Sequence, residues 1–292
     1  MTVRKVPGRG FCSTLNMWYN PGKQSYGLCL YPGFRQEAYV MTAPDLTRSG
    51  RPAGNTATTW LKIIALVFMF MDHAGKMLLP GVPEMRMIGR AAFPIYAWCM
   101  IVGFHYTRSV PKYLLRILIV GLASQPLYNL ALNHTWENPN IFLTLFLGLC
   151  ALWGIREKKY LSQIWAPAAA LALAVVLKAD YNWKGVLLFI LLYAVRDSRP
   201  GIAAVMVAYF LFWGSFYGVT KSFFGFSFDL TGLPPFLSQP LSSLLRLETY
   251  ALLSLPFILV RFRKDLKLPR WVGYALYPAH LALLYGLEQI VK

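Results

Sequence analysis

Residues 60–90 read WLKIIALVFMFMDHAGKMLLPGVPEMRMIGR, and this stretch decides how the rest of the chain is understood. The apolar run 61–70 passes straight into Met71-Asp72-His73, and Gly89-Arg90 opens the next apolar segment. An acid, an imidazole and a guanidinium therefore sit inside what otherwise reads as membrane. Ionisable groups at such depth are costly to bury, so they mark a functional site with partners close by.

The surroundings agree. Of 292 residues, 57% are hydrophobic and 15% aromatic but only 14% charged, with a mean hydropathy of +0.45. Repeated apolar runs in so apolar a chain define a polytopic membrane protein. The runs are long and rich in Leu, Ile, Ala and Val, without the alternation of barrel strands, so they are helices. The expected fold is all-α, a polytopic transmembrane bundle of about nine helices, over 60–79, 87–106, 113–132, 141–155, 161–177, 183–195, 202–219, 242–260 and 271–291. The fourth and sixth are shorter than the roughly 17–25 residues of a full span, which calls for tilt, local thinning or broken helices.

Charge is lopsided, 29 Lys and Arg against 12 Asp and Glu. In a soluble protein this balance would suggest nucleic acid; here the basic residues fall between apolar runs, and no nucleic-acid partner is expected. Basic loops follow the second segment (Arg108, Lys112, Arg116), the fourth (Arg156, Lys158, Lys159), the sixth (Arg196, Arg199) and the eighth (Arg261, Arg263, Lys264, Lys267, Arg270). The intervening connections carry few cations. The positive-inside rule then predicts a multi-pass membrane protein with its amino end cytoplasmic and its carboxyl end outside. Arg86 and Arg90, in the first outer connection, strain that rule.

Residues 1–59 carry Gly, Pro, Ser, Thr and scattered basic residues without sustained apolar periodicity, and read as a disordered cytoplasmic leader before the membrane domain 60–292. The apolar patch 27–31 is too short for a signal peptide. Met41 offers a shorter start, so the first forty residues are expected to be dispensable or a start-site artefact. Cys12, Cys29, Cys99 and Cys150 form neither a disulfide framework nor a metal spacing, and no metal site is expected. In the long connection 221–240, Phe223, Phe224, Phe226 and Phe228 read as an aromatic belt or as a lid over a cavity.

Which residues carry chemistry follows from helix geometry. Adjacent residues on a helix point about 100° apart, so Asp72 does not orient His73 as a triad acid would. Asp72 instead faces Lys76 at i+4, and the bland alternative is an Asp72/Lys76 pair with His73 as bystander. Arg86 and Arg90 share a face and repel unless an anion or carboxylate joins them; Arg90 either bridges to Asp72 or holds a phosphate or acyl oxygen, or snorkels to headgroups. His280 stands mid-segment behind Tyr277-Pro278. Arg246 and Glu248, two apart, do not face each other and suggest structural pairing with other helices. His105 and His134 read as ordinary polar residues.

At these positions the chain resembles the TraX family, bacterial integral-membrane proteins named for the conjugation protein that acetylates the amino terminus of F pilin. The matching blocks are Met71-Asp72-His73; Gly89-Arg90 with Ala92-Phe93-Pro94; Tyr113-Leu114-Leu115-Arg116; Asn140-Ile141-Phe142 with Thr144; Asp180-Tyr181 with Gly185-Val186-Leu187-Leu188; and Tyr277-Pro278-Ala279-His280-Leu281. The resemblance implies transfer of an acetyl group from cytoplasmic acetyl-CoA to an amine or hydroxyl acceptor: a peptide amino terminus, a glycan or a small molecule. It implies His73 as base or acyl carrier, Asp72 as positioning group, His280 as second proton handler, and Arg90 with Arg86 as donor-binding residues. Two alternatives are a proton-coupled transporter using Asp72, His73 and His280 as a relay, and a membrane scaffold whose polar residues are structural glue. A joint site requires the first and ninth segments to pair.

Overall fold

The computed structural model describes residues 2–6, 17–20, 25–28, 38–42, 51–220, 222–223, 226–227, 230, 232–266 and 269–291. The chain divides into two units, Met1–Ser49 and Gly50–Lys292.

In the first unit, where the sequence reading expects no regular structure, four strands form an antiparallel sheet: β1 (Thr2–Val6), β2 (Met17–Asn20), β3 (Ser25–Leu28) and β4 (Ala38–Thr42), in the order β1-β4-β3-β2. In the register, Val3 lies opposite Met41 and Tyr26 also opposite Met41. Strands of four or five residues are too short to leave a periodic signal in a longer window, and that is why composition alone misses them. Cys12 and Cys29 lie outside the described residues.

The second unit is helical and begins before Trp60. Residues 51–57, assigned by sequence to the leader, are anchored in it. The buried Asn55 accepts from Ala57 N at 3.0 Å and donates to the Phe257 carbonyl at 3.1 Å, while Trp98 Nε1 donates to the Asn55 carbonyl at 2.7 Å. A polar residue looks like loop in a sequence, yet it can be buried once every polar atom has a partner.

α1 (Thr58–Met77) starts with its open N–H groups satisfied by Asp265, which accepts from Thr59 N at 3.1 Å and Trp60 N at 3.3 Å. It turns into the short α2 (Pro83–Gly89), which opens on a proline, where the missing N–H costs nothing. α2 returns close along α1: a Cβ on Gly75 would stand 2.8 Å from Met85 Cβ, and one on Gly89 2.8 Å from Asp72 Cα. The two backbones thus meet through small residues. After a break at Arg90 and Ala91, α3 (Ala92–Tyr106) continues; it is apolar around its whole circumference and buried from Ala92 to Phe104 on nearly every side, which makes it the central helix.

Of the helices that follow, α5 (Ile141–Glu157) and α7 (Asn182–Ala194) pack against it, α4 (Val110–Leu132) packs on α5, α6 (Ser162–Val176) on α5 and α7, and α8 (Arg199–Gly214) on α7. Among the described residues, three helical stretches are long and apolar enough to cross a membrane, Pro83–Tyr106, Val110–Leu132 and Lys159–Val176, fewer than the nine spans expected. Part of the connection expected as an aromatic belt or lid is a two-residue ladder of β5 (Ser222–Phe223) with β6 (Phe226–Ser227), and Phe223 stacks on Tyr250 with ring centroids 5.8 Å apart; Phe224 and Phe228 lie outside the described residues.

The eighth segment is not one helix. It consists of α9 (Pro235–Leu244), a 3-10 helix (Leu247–Ser254) and α10 (Leu255–Leu259). Proline at the start of α10 cannot donate into the preceding turn, and Arg246 leaves the axis to donate to the carbonyl of Ser215 at 2.7 Å at the end of α8. The break turns Glu248 inward. α11 (Arg270–Val291), with Pro278 inside it, closes the bundle against α1 and α4.

Candidate functional site

Asp72 and His73 leave α1 in different directions, as the helical repeat requires. His73 meets α11: its Nδ1 lies 2.9 Å from His280 Nε2, and the two rings are stacked with 7° between planes and centroids 5.2 Å apart. The pairing of first and last segments that a joint site requires is therefore present.

The hydrogen-bond chain fixes the tautomers of the neutral pair. His280 Nδ1 lies 3.3 Å from the Leu276 carbonyl, which only accepts, so that nitrogen carries the proton. A neutral His280 then has a bare Nε2, which accepts from His73 Nδ1–H. This leaves His73 Nε2 as the unprotonated nitrogen of the pair.

His280 is held from behind. Asn140 accepts from Phe142 N at 3.1 Å through its side chain, donates its side-chain amide to the Gly121 carbonyl at 2.8 Å and donates its backbone N–H to Gln125 Oε1 at 2.8 Å. This seats Phe142 at the start of α5. Tyr277 meets the Phe142 ring edge-on at 4.8 Å, and its own ring lies 5.3 Å from His280.

Asp72 goes the other way. Its Oδ1 accepts from Arg90 Nη2 at 2.7 Å, and Arg90 Nη1 donates to Glu248 Oε1 at 3.3 Å. Arg90 Nε donates to the Arg86 carbonyl at 3.3 Å, so the contact between these arginines runs through the Arg86 backbone. Lys76 does not take Asp72 but approaches His134 Nε2 at 2.9 Å, and His134 stacks on Tyr128. The Asp72/Lys76 pair is thus corrected, while His134 remains a polar residue with ordinary partners. The i+4 position puts Lys76 within reach of Asp72, but a buried guanidinium returning at the α2–α3 break competes for the same oxygen with a planar fork. Of the expected donor-binding residues, Arg90 is occupied by two carboxylates and Arg86 is exposed.

A cavity of about 1190 Å³ reaches this layer. Asp72, His73, Asp180 and Tyr181 line one end of it, and neither Arg86, Arg90 nor His280 is in its wall. Tyr181 stacks on Phe93 at 4.1 Å and meets Trp213 edge-on at 5.6 Å, which fixes the α6–α7 turn against α3. Asp180, in that turn, keeps accessible surface toward the cavity. The protein crowding its other sides pushes its carboxyl up to about 6, with Arg90 opposing and Asp72 reinforcing. Among the described residues, no cluster of three or more His, Cys, Asp or Glu is placed to hold a metal ion, and Cys99 and Cys150 are free thiols.

Glu248 pairs with another helix, as its spacing from Arg246 suggested, and the partner is Arg90. The identity of that partner follows from a helix break that only Pro256 and the neighbouring prolines hint at.

Apolar helices enclosing a histidine pair and an arginine–carboxylate cluster define a helical membrane protein with an ionisable site inside its bundle. The chain belongs to the TraX family, whose profile, described as TraX protein, matches residues 57–288. It is 34% identical over 97 residues to the uncharacterized protein RP591 of Rickettsia prowazekii (strain Madrid E), a match covering 33% of this chain and 37% of that one. It is 30% identical over 106 residues to the probable fimbrial assembly protein FimC, serogroup H1, of Dichelobacter nodosus, covering 32% of this chain and 43% of that one. The chain thus spans about two fifths of the length of these curated relatives. No solved structure matches it.

Proposed function

We propose that this protein is a membrane-embedded acyltransferase that moves acetyl from acetyl-CoA to an amine or hydroxyl acceptor at or beyond the membrane. The observation that carries this reading is the 2.9 Å contact of His73 with His280, with His73 in the wall of a large cavity and His280 behind it. In this scheme His73 Nε2 accepts the proton of the acceptor N–H or O–H as the acceptor attacks the thioester carbonyl. The new C–N or C–O bond forms, the C–S bond breaks, and the proton passes to the departing thiolate. His280 holds the tautomer that leaves Nε2 bare. Asp72 is tied into the Arg90 cluster, so its part is to fix α1 and balance charge.

The reading places the chain in the bacterial inner membrane with nine spans, amino end cytoplasmic and carboxyl end outside, supported by the alternation of basic loops. Kinship with a fimbrial assembly protein favours a pilus-related acceptor such as a peptide amino terminus. The test is purified protein in nanodiscs with acetyl-labelled CoA: wild type acquires or transfers label, and His73→Ala does not while remaining folded. A proton-coupled transporter using the same histidines would show neither CoA binding nor donor hydrolysis, and that result would falsify the enzyme reading.

A further inference from the structure

The same cavity has a second end that the chemistry above does not use. Lys62 on α1, Arg108 between α3 and α4, and Lys112 and Arg116 on α4 all line it. Lys112 and Arg116 are four apart on one helix, where like charges repel unless an anion lies between them. Lys62, Arg108 and Lys112 are exposed. Arg116 is half-buried beside the Tyr113 ring, its guanidinium carbon 5.8 Å from the centroid, and its Nε is buried without a hydrogen-bond partner among the described residues. A buried N–H left unpaired is costly and marks a missing acceptor. Asp265, a carboxylate at the same end of α1, is taken up by the N–H groups of Thr59 and Trp60.

The distance fits a long ligand. Lys62 and His73 are eleven positions apart on α1, about 16 Å along its axis. The cavity is also somewhat larger than the roughly 300–1,000 Å³ usual for small-molecule sites. An elongated molecule with anionic groups at one end and its reacting atom at the other matches this distribution of charge.

We propose that Lys62, Arg108, Lys112 and Arg116 form a phosphate-binding mouth that holds the nucleotide end of the acyl donor, with the thioester arm lying along the cavity toward His73. This rests on the acyl-transfer reading. It also moves donor binding away from Arg90 and Arg86, to Lys62 and to the basic loop residues Arg108, Lys112 and Arg116 that the sequence read as a topology signal. An anionic lipid headgroup carries the same phosphate chemistry, so the experiment must separate the two sources.

Wild type and the double variant Lys112→Gln/Arg116→Gln are compared in phosphatidylcholine nanodiscs, with and without phosphatidylglycerol. Binding of CoA and of adenosine 3′,5′-bisphosphate is measured, and acetyl transfer is followed from acetyl-CoA and from S-acetylpantetheine, which lacks the nucleotide. The double variant is expected to bind CoA and the bisphosphate about tenfold or more weakly, and to lose a similar factor of its preference for acetyl-CoA over S-acetylpantetheine. Lys62→Gln/Arg108→Gln, both at exposed positions, repeats the test should the first pair fail to fold. Equal CoA affinity in variant and wild type overturns the mouth and leaves acyl transfer standing. Charge-dependent bisphosphate binding without any donor hydrolysis or label transfer by wild type keeps a nucleotide site and overturns acyl transfer. Nucleotide binding absent from wild type, with phosphatidylglycerol retained by these charges, makes the mouth a lipid site and overturns the proposal.

Discussion

Asp72 and His73 are neighbours in sequence that end in two unlike chemical environments. His73 reaches α11 and finds another imidazole; Asp72 reaches the α2–α3 break and finds Arg90, which also holds Glu248. The arginine cluster is closed on itself, with one fork shared between two carboxylates and little surface exposed. The histidine pair is not saturated, because its hydrogen-bond chain leaves one nitrogen of His73 unprotonated, and His73 lines the cavity. The difference teaches that burial of ionisable groups is a single signal covering two arrangements, one in which every charge is paired between helices and one that leaves a nitrogen of a cavity-lining side chain unprotonated.

Substitution at the histidines should produce the largest effect. His73→Ala removes the open nitrogen, and label transfer should fall about 10²- to 10⁴-fold, while the melting temperature in detergent stays near that of wild type. His280→Ala should give a loss of the same kind by releasing the tautomer of His73. Single-turnover transfer alongside thermal unfolding checks both. If His73→Ala unfolds the protein, the contrast collapses and both regions are structural.

The opposite pattern is expected at the cluster. Arg90→Met leaves Asp72 and Glu248 facing each other without a counter-charge, a loss of about 3–5 kcal/mol. Adding Asp72→Leu and Glu248→Leu should recover most of that stability, because an apolar replacement of a buried ion cluster is often neutral. Chemical unfolding of the single and triple variants reads this directly. A triple variant as unstable as Arg90→Met would mean that the carboxylates have partners other than Arg90.

Why one region was more legible than the other follows from how each is built. Asp72, His73 and His280 stand out because an ionisable residue in an apolar run needs no context to be conspicuous, and the family blocks reinforce them. The Asp72–Arg90 bridge was one of the options that charge alone left open. Glu248 was legible as a residue that pairs with another helix, but its partner was not, since reading 242–260 as one continuous span misses the break that turns it toward Arg90. His134 and Lys76 find each other across α4 and α1, a packing outcome no local spacing reports. The helical class was legible from apolar runs, whereas the strands of residues 2–42 were too short to signal themselves.

The closeness of α1 and α2 gives a smaller effect at Gly89. An added methyl there runs into Asp72 Cα and Cβ, which are backbone-bound and cannot swing aside. Gly89→Ala should cost about 1–3 kcal/mol and reduce transfer only as far as it displaces α1. A Gly89→Ala protein as stable as wild type, but inactive, would show that the α1–α2 spacing serves the chemistry and not the packing.

Arg86 carries the smallest expected effect and the sharpest test of where the donor lies. Its side chain is exposed and outside the cavity wall, and Arg90 uses only its carbonyl. It packs beside Gly75, thirteen positions along α1 from Lys62, so about 20 Å separates it from the basic mouth. Arg86→Gln should therefore change stability by less than about 0.5 kcal/mol and leave CoA affinity as it is, measured in the same nanodiscs as the mouth variants. Should Arg86→Gln weaken CoA binding as strongly as Lys112→Gln/Arg116→Gln, the phosphates would have to sit at the carboxylate end. Asp72, Glu248 and Asp180 would then oppose the ligand they were meant to accept. Electrostatics argues for the other end, where the cavity wall offers four cations and the carboxylate beside them is already engaged.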